Sequence, residues 1–237
     1  MSPKLARIGL SLAIVLAWAA PPASALTTTY NLATNITNTS TSVGGQLFVD
    51  VVSISGQPNR VDFVFRNEGP RPSSIGAVYF DDDSLLTLLP TTVRNDTGVW
   101  FSAGANPANL PGSSAWNFHA TSNFSADANL SDLVFGVNPG ERLTMRFGLQ
   151  GGRTYANVIH AINLAGTNPT RDLPGGLRIG ASVLLPSLGI LWGDPCYDSY
   201  LLSAPVPVPE PSTLAIAGLG ALGMIGHGLR RSRRERA

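Results

Sequence analysis

The chain is short of charge, of lysine and of cysteine. Of its 237 residues 13% are charged, against about 25% in an ordinary soluble protein. Its one lysine is Lys4, its one cysteine is Cys196, and residues 26–204 hold only two glutamates, Glu68 and Glu141. A single thiol excludes an intramolecular disulfide framework. Cys196 is then either a half-buried inert thiol or one half of a bridge to another chain. Over residues 26–204, nine Arg stand against eleven Asp and two Glu, a net charge of −4 (9 − 13). That sign excludes a polybasic nucleic-acid binder. Seventeen aromatics in the same stretch exclude a disordered acidic tail. No internal repeat is visible, which excludes a solenoid or propeller. There is no Gly-x-Ser-x-Gly elbow. His119 and His160 have no partner at metal-ligand spacing, which excludes a zinc centre. Glu68 and Glu141 each sit beside a turn rather than as a facing pair, which argues against a glycosidase. The middle of the chain reads as non-catalytic.

What is present is clearest at the two ends. Lys4 and Arg7 precede an apolar run from Ile8 to Ala20, Pro21 and Pro22 break it, and Ala23-Ser24-Ala25 follows. Small side chains at Ala23 and Ala25 fit signal peptidase, so residues 1–25 read as a secretory signal peptide cut before Leu26. The apolar run spans about 20 Å as helix, short of a ~30 Å hydrocarbon core, which disfavours its retention as an anchor. At the other end, Pro205-Val206-Pro207-Val208-Pro209-Glu210-Pro211 cannot form a helix or a central strand and reads as an extended tether. Residues 213–229 are uncharged and apolar, at the short limit for a membrane-spanning helix. Arg230, Arg231, Arg233, Arg234 and Arg236 close the chain. Such a cluster stays on the cytoplasmic side and places residues 26–212 outside the membrane.

These C-terminal elements, Pro209-Glu210-Pro211-Ser212, a Gly-rich apolar helix and an Arg cluster in that order, resemble the PEP-CTERM sorting signal. The resemblance extends over residues 205–237. It implies processing by exosortase, a membrane-embedded cysteine protease and presumed transpeptidase of Gram-negative bacteria that make exopolysaccharide. Pro209, Glu210 and Pro211 would then be the recognition motif, and Arg230 to Arg236 the topological anchor. The implied route is export, a transient inner-membrane intermediate, and delivery to the cell surface or extracellular matrix.

Between the ends the dominant signal has period two. Gln46 to Ser55 is β-branched and apolar. Val61, Phe63 and Phe65 alternate with Asp62, Val64 and Arg66, and Leu143, Met145, Phe147 and Leu149 with Arg142, Thr144, Arg146 and Gly148. Ile75 to Phe80, Leu177 to Leu185 and Asp198 to Ser203 read as further strands. Shorter candidates lie at Leu85 to Leu89, Gly98 to Ser102, Ala115 to Ala120 and Leu133 to Val137. Residues 27–42 are an edge strand or a loose leader. Tyr155, Val158, Ile159 and Ile162 fall at helical spacing, so Thr154 to Leu164 reads as a short helix capped by Thr154. Residues 26–204 are thus expected to form one mostly β domain, a sandwich or jelly-roll, with one short helix. The run Val61 to Asn67, Ile75 to Asp83, and Leu177-Arg178-Ile179-Gly180 after a helix also resemble a subgroup of exosortase-dependent surface proteins, which implies a surface role and no particular chemistry.

Two groups of residues invite a binding role. Asp81-Asp82-Asp83 sits at a strand end, where hard oxygen ligands suit Ca²⁺ if backbone carbonyls complete the shell. On an extended chain only Asp81 and Asp83 share a face. The alternative is a solubilising turn that guards a strand edge. Trp100, Trp116, Trp192 and Tyr197 suit stacking on sugar rings, or equally a core. The expected function is therefore a secreted surface or biofilm-matrix protein of structural or adhesive kind. A carbohydrate-binding module associated with exopolysaccharide is the alternative, and a hydrolase without a recognisable motif the third reading.

Overall fold

The computed structural model describes residues 25–37, 42–129, 132–168, 170, 173–185 and 196–203. Ala23, the Pro-rich tether, the apolar stretch 213–229, the Pro209-Glu210-Pro211 motif and the Arg cluster lie outside the described residues, as does Trp192. Among the described residues no helix is long and apolar enough to cross a membrane.

Alternating β-branched and aromatic residues build two antiparallel sheets. The strands are β1 (Thr27–Asn31), β2 (Thr34–Asn35), β3 (Leu47–Ile54), β4 (Gln57–Asn67), β5 (Ser74–Asp82) and β6 (Leu86–Thr87), followed by β7 (Val93–Asn95), β8 (Phe101–Ala103), β9 (Ser125–Ala128), β10 (Arg142–Leu149), β11 (Leu177–Leu185) and β12 (Cys196–Leu201). One sheet runs β1-β3-β4-β10-β6, with β7 also on β10, and the other β2-β12-β11-β5-β9-β8. Val61, Phe63 and Phe65 turn inward from β4 and Leu143, Met145 and Phe147 from β10. Ile179, Ala181 and Val183 meet them from β11 in one shared core. Phe80 crosses from the second sheet and packs edge-on against Phe63 at 5.0 Å, Phe65 at 5.9 Å and Phe147 at 4.8 Å between ring centroids. Contacts of this geometry add about 0.5–1.5 kcal/mol each beyond area burial. The arrangement is sandwich-like, with both sheets contributing to one core.

The helix expected near residue 154 is α2 (Tyr155–Gly166); a single turn, α1 (Asp132–Phe135), precedes it. Thr154 donates both its backbone N–H and its hydroxyl to Asn157 Oδ1 at 2.9 and 3.1 Å, tying the start of the helix. Val158, Ala161, Ile162 and Ala165 are buried. Tyr30 Oη donates to Asn163 at 3.0 Å, and Tyr155 Oη lies 2.7 Å from the Thr28 hydroxyl. The helix thereby joins β1 of one sheet to β11 of the other.

Several expectations are corrected. Ala115 to Ala120 is not a strand: residues 113–116 make a 3₁₀ turn between Gly112 (φ 72°) and Asn117 (φ 47°), and left-handed residues cannot continue an extended chain. Leu133 to Val137 is mostly α1, with Val137 bridging to Ile75. Of the two readings of residues 27–42 the edge strand holds, as β1 and the short β2. The largest difference concerns β11, which is buried along its whole length rather than on alternate residues. Its outer face is covered by the segment between β8 and β9. Leu110 and Phe118 pack there with Tyr79 and Leu201, and Trp116 lies half-buried against them. Gly180 permits this layer, because a Cβ there would lie 2.6 Å from Leu110 Cδ2.

Candidate functional site

The Asp81–Asp83 run ends β5, where alternation points consecutive side chains to opposite faces. Asp81 faces outward and forms an ion pair with Arg178 of β11, while accepting the His119 N–H at 3.1 Å. Arg178 also donates to the carbonyls of Asn117 and, at 2.9 Å, of Trp116. Its guanidinium lies 5.5 Å from the Phe118 ring centroid. The Arg178 and Asp81 side chains are 7% and 13% exposed. A guanidinium so deep is tolerated only when its donors are met, and here the outer layer meets them.

Asp82 points inward. It accepts the backbone N–H groups of Leu85 at 3.1 Å and Leu86 at 2.9 Å. Burial pushes its carboxyl above the ordinary range; the bonds from Leu86 and Leu85 oppose that rise. Asp83 accepts the Gly175 N–H at 3.0 Å and borders a cavity of about 60 Å³ shared with Ser84, Arg153, Asn157 and His160. Asp81 and Asp83 therefore serve separate partners. Among the described residues no three of His, Cys, Asp or Glu gather as a metal-binding group.

Two further arginines are also committed to the framework. Arg66 pairs with Asp50 at 2.6 Å and with Glu68, and Arg146 binds Asp62 through two bonds at 2.6 and 2.5 Å. Hydrogen bonding to Asp50 and Asp62 raises the pKa of Arg66 and of Arg146. Glu141 closes the Asn138–Gly140 turn by accepting the Asn138 N–H at 3.0 Å. His119 and His160 are exposed. Cys196 is exposed, not half-buried.

Of the aromatics, Trp100 is 48% and Tyr197 43% exposed. Trp100 stands edge-on to Phe135 at 5.3 Å between ring centroids. A groove of about 290 Å³ opens between residues 88–93 and β8. Leu88, Pro90, Thr91, Thr92, Ser102 and Asn123 help line it, and none of its lining residues is charged.

The two ends of the described domain meet one strand. Leu26 exchanges bonds with Ser53, donating to Oγ at 2.7 Å and accepting the N–H at 2.8 Å, at the start of β1. Ser203 donates its N–H to Asn31 O at 2.8 Å, at the end of β1. Arg178 was missed as a framework residue by sequence reasoning. The signal was present: one cation inside the otherwise uncharged run Leu177–Leu185 demands a buried partner.

Comparison with protein families matches residues 207–234 to the PEP-CTERM protein-sorting motif. No curated protein and no solved structure matches this chain. The match lies wholly beyond the β domain and assigns that domain no chemistry. What it shows is that the chain carries the sorting motif of PEP-CTERM proteins, which are exported to the cell surface via exosortase.

Proposed function

We propose that the β domain acts at the cell surface or in the biofilm matrix as a non-catalytic structural or adhesive component. The chain enters the export pathway through residues 1–25, with signal peptidase cutting after Ala25. It pauses in the inner membrane through residues 213–229, held by Arg230 to Arg236, and exosortase acts at Pro209-Glu210-Pro211. The observation that carries this reading is the sorting motif at residues 207–234. The use of charge in the domain supports it: Arg66, Arg146 and Arg178 are engaged with Asp50, Asp62 and Asp81 across strands. The test is Glu210→Ala, followed by intact mass of the chain in surface and membrane fractions. Export across the inner membrane should persist while the C-terminal tail is retained. Processing at the wild-type rate sinks the motif assignment.

A second reading, a carbohydrate-binding module for exopolysaccharide, draws support from the uncharged groove beside β8 and from the exposed Trp100 ring. An uncharged lining with hydroxyl and amide groups suits a neutral sugar, whose hydroxyls bond to polar side chains and whose C–H faces pack on apolar ones.

A further inference from the structure

The cavity of about 60 Å³ beside the end of β5 holds opposite charges that do not pair. Asn157 and His160 line it from α2, three residues apart on one side of the helix, and Arg153 lines it from just before the Thr154 cap. Asp83 and Ser84 line it from the loop that follows β5. None of the ion pairs among the described residues involves Arg153, His160 or Asp83.

Two of these side chains are tied to the framework by one atom and offer the other. Asn157 Oδ1 accepts the Thr154 N–H at 2.9 Å and the Thr154 hydroxyl at 3.1 Å, so its amide nitrogen is left as a donor. Asp83 Oδ2 accepts the Gly175 N–H at 3.0 Å, which leaves Oδ1 as an acceptor. Among the described residues neither remaining atom has a partner. A donor and an acceptor already oriented in this way lose little freedom when a ligand arrives.

The chemistry that fits is a group that donates and accepts at once, which a hydroxyl does. A ligand of either net charge is a poor match, because Arg153 and Asp83 act on it in opposite senses. A zwitterion matches both signs but must surrender the water around two full charges, whereas a hydroxyl surrenders only neutral hydrogen bonds. The volume is room for a few waters, so the cavity takes the hydroxylated edge of a ligand and leaves its body outside.

We propose that this cavity is a saccharide subsite, in which two neighbouring hydroxyls of a neutral sugar lie between Asp83 Oδ1 and the donors Asn157 Nδ2 and Arg153. It shares no residue with the groove beside β8, and its charged lining sets it apart from that groove.

The test is a nuclear magnetic resonance titration of the isotope-labelled full-length chain with methyl β-D-glucopyranoside and, separately, with glycine. The glucoside should shift Ser84, Gly175 and the Asn157 side-chain amide saturably, with a Kd on the order of a millimolar. Glycine should leave these resonances in place. Asn157→Asp keeps the oxygen that ties Thr154 and loses the donor. Asp83→Asn keeps an oxygen for Gly175 and exchanges the free acceptor for a donor. Each should weaken glucoside binding roughly tenfold or more, with the rest of the spectrum unchanged. No saturable shift up to about 100 mM glucoside overturns the proposal, as does wild-type affinity in either variant. Shifts confined to Ser102 and Asn123 also overturn it, while leaving the groove beside β8 as a sugar site. Glycine binding at Asp83 and Asn157 as tightly as the glucoside makes the cavity a site for a zwitterion and overturns the proposal too.

Discussion

Replacing Arg178 by methionine is the sharpest test of how the outer layer is held. Methionine keeps most of the apolar stem and removes the guanidinium. The lost contacts are the ion pair with Asp81 and the donations to Trp116 O, at 2.9 Å, and Asn117 O. The stacking on Phe118 goes too. Removing one partner of a buried ion pair costs about 3–5 kcal/mol. The lower end applies here, about 3 kcal/mol, because Asp81 still accepts the His119 N–H. Asp81→Asn, which keeps size and an acceptor, should cost about 1–2 kcal/mol. The double variant should recover about 1–3 kcal/mol relative to the sum, since no uncompensated charge is left buried. Urea midpoints of the processed protein at constant m-value give these differences. Hydrogen exchange across residues 104–124 should rise in Arg178→Met, because the Arg178 bonds reach the carbonyls of that layer. A loss below about 1 kcal/mol with unchanged exchange would refute the assignment of Arg178 as the pin.

Two further outcomes follow from the site residues. The carboxyl of Asp82 titrates above its ordinary value of 3.8 in the folded chain, so its contribution to stability is full below that value and is lost as pH rises through the raised one. The stability difference between wild type and Asp82→Asn should accordingly shift in favour of wild type between about pH 7 and about pH 4; a pH-independent difference in urea midpoints contradicts the burial argument. Trp100→Ala, at a half-exposed position, should change stability by about 1 kcal/mol or less. If the domain binds a neutral polysaccharide through this ring, the same change should abolish retardation in affinity gels. Unchanged retardation removes Trp100 from any binding role.

Strands β3, β4 and β10 and helix α2 were legible because each shows one face to the core and one to solvent or half-solvent, and periodicity reports one-sided burial. The alternation in Leu177–Leu185 was legible as a strand, but its burial on both faces was not. Covering it depends on Leu110 and Phe118 arriving from a Gly-, Pro- and Asn-rich segment that carries no period of its own. The same absence explains the error at Ala115 to Ala120, where left-handed Asn117 ends a 3₁₀ turn. The Asp81–Asp83 run was visible as concentrated charge. Its partners were not, for Arg178 lies 97 residues away in sequence and Gly175 lies 92 residues away.

The division has a physical basis. The sorting motif is a linear signal, in which composition and order over residues 207–234 carry the information, so the amino-acid sequence alone was enough to recognise it. The period-two pattern likewise determined a mostly β chain, since each strand's alternation is a local property. Only the tertiary structure decided that Arg178 and Asp81 close an outer layer, that an uncharged groove lies beside β8, and that Ser203 bonds to Asn31 at the end of β1. Each of these joins residues distant in sequence, and no local pattern encodes which of them meet.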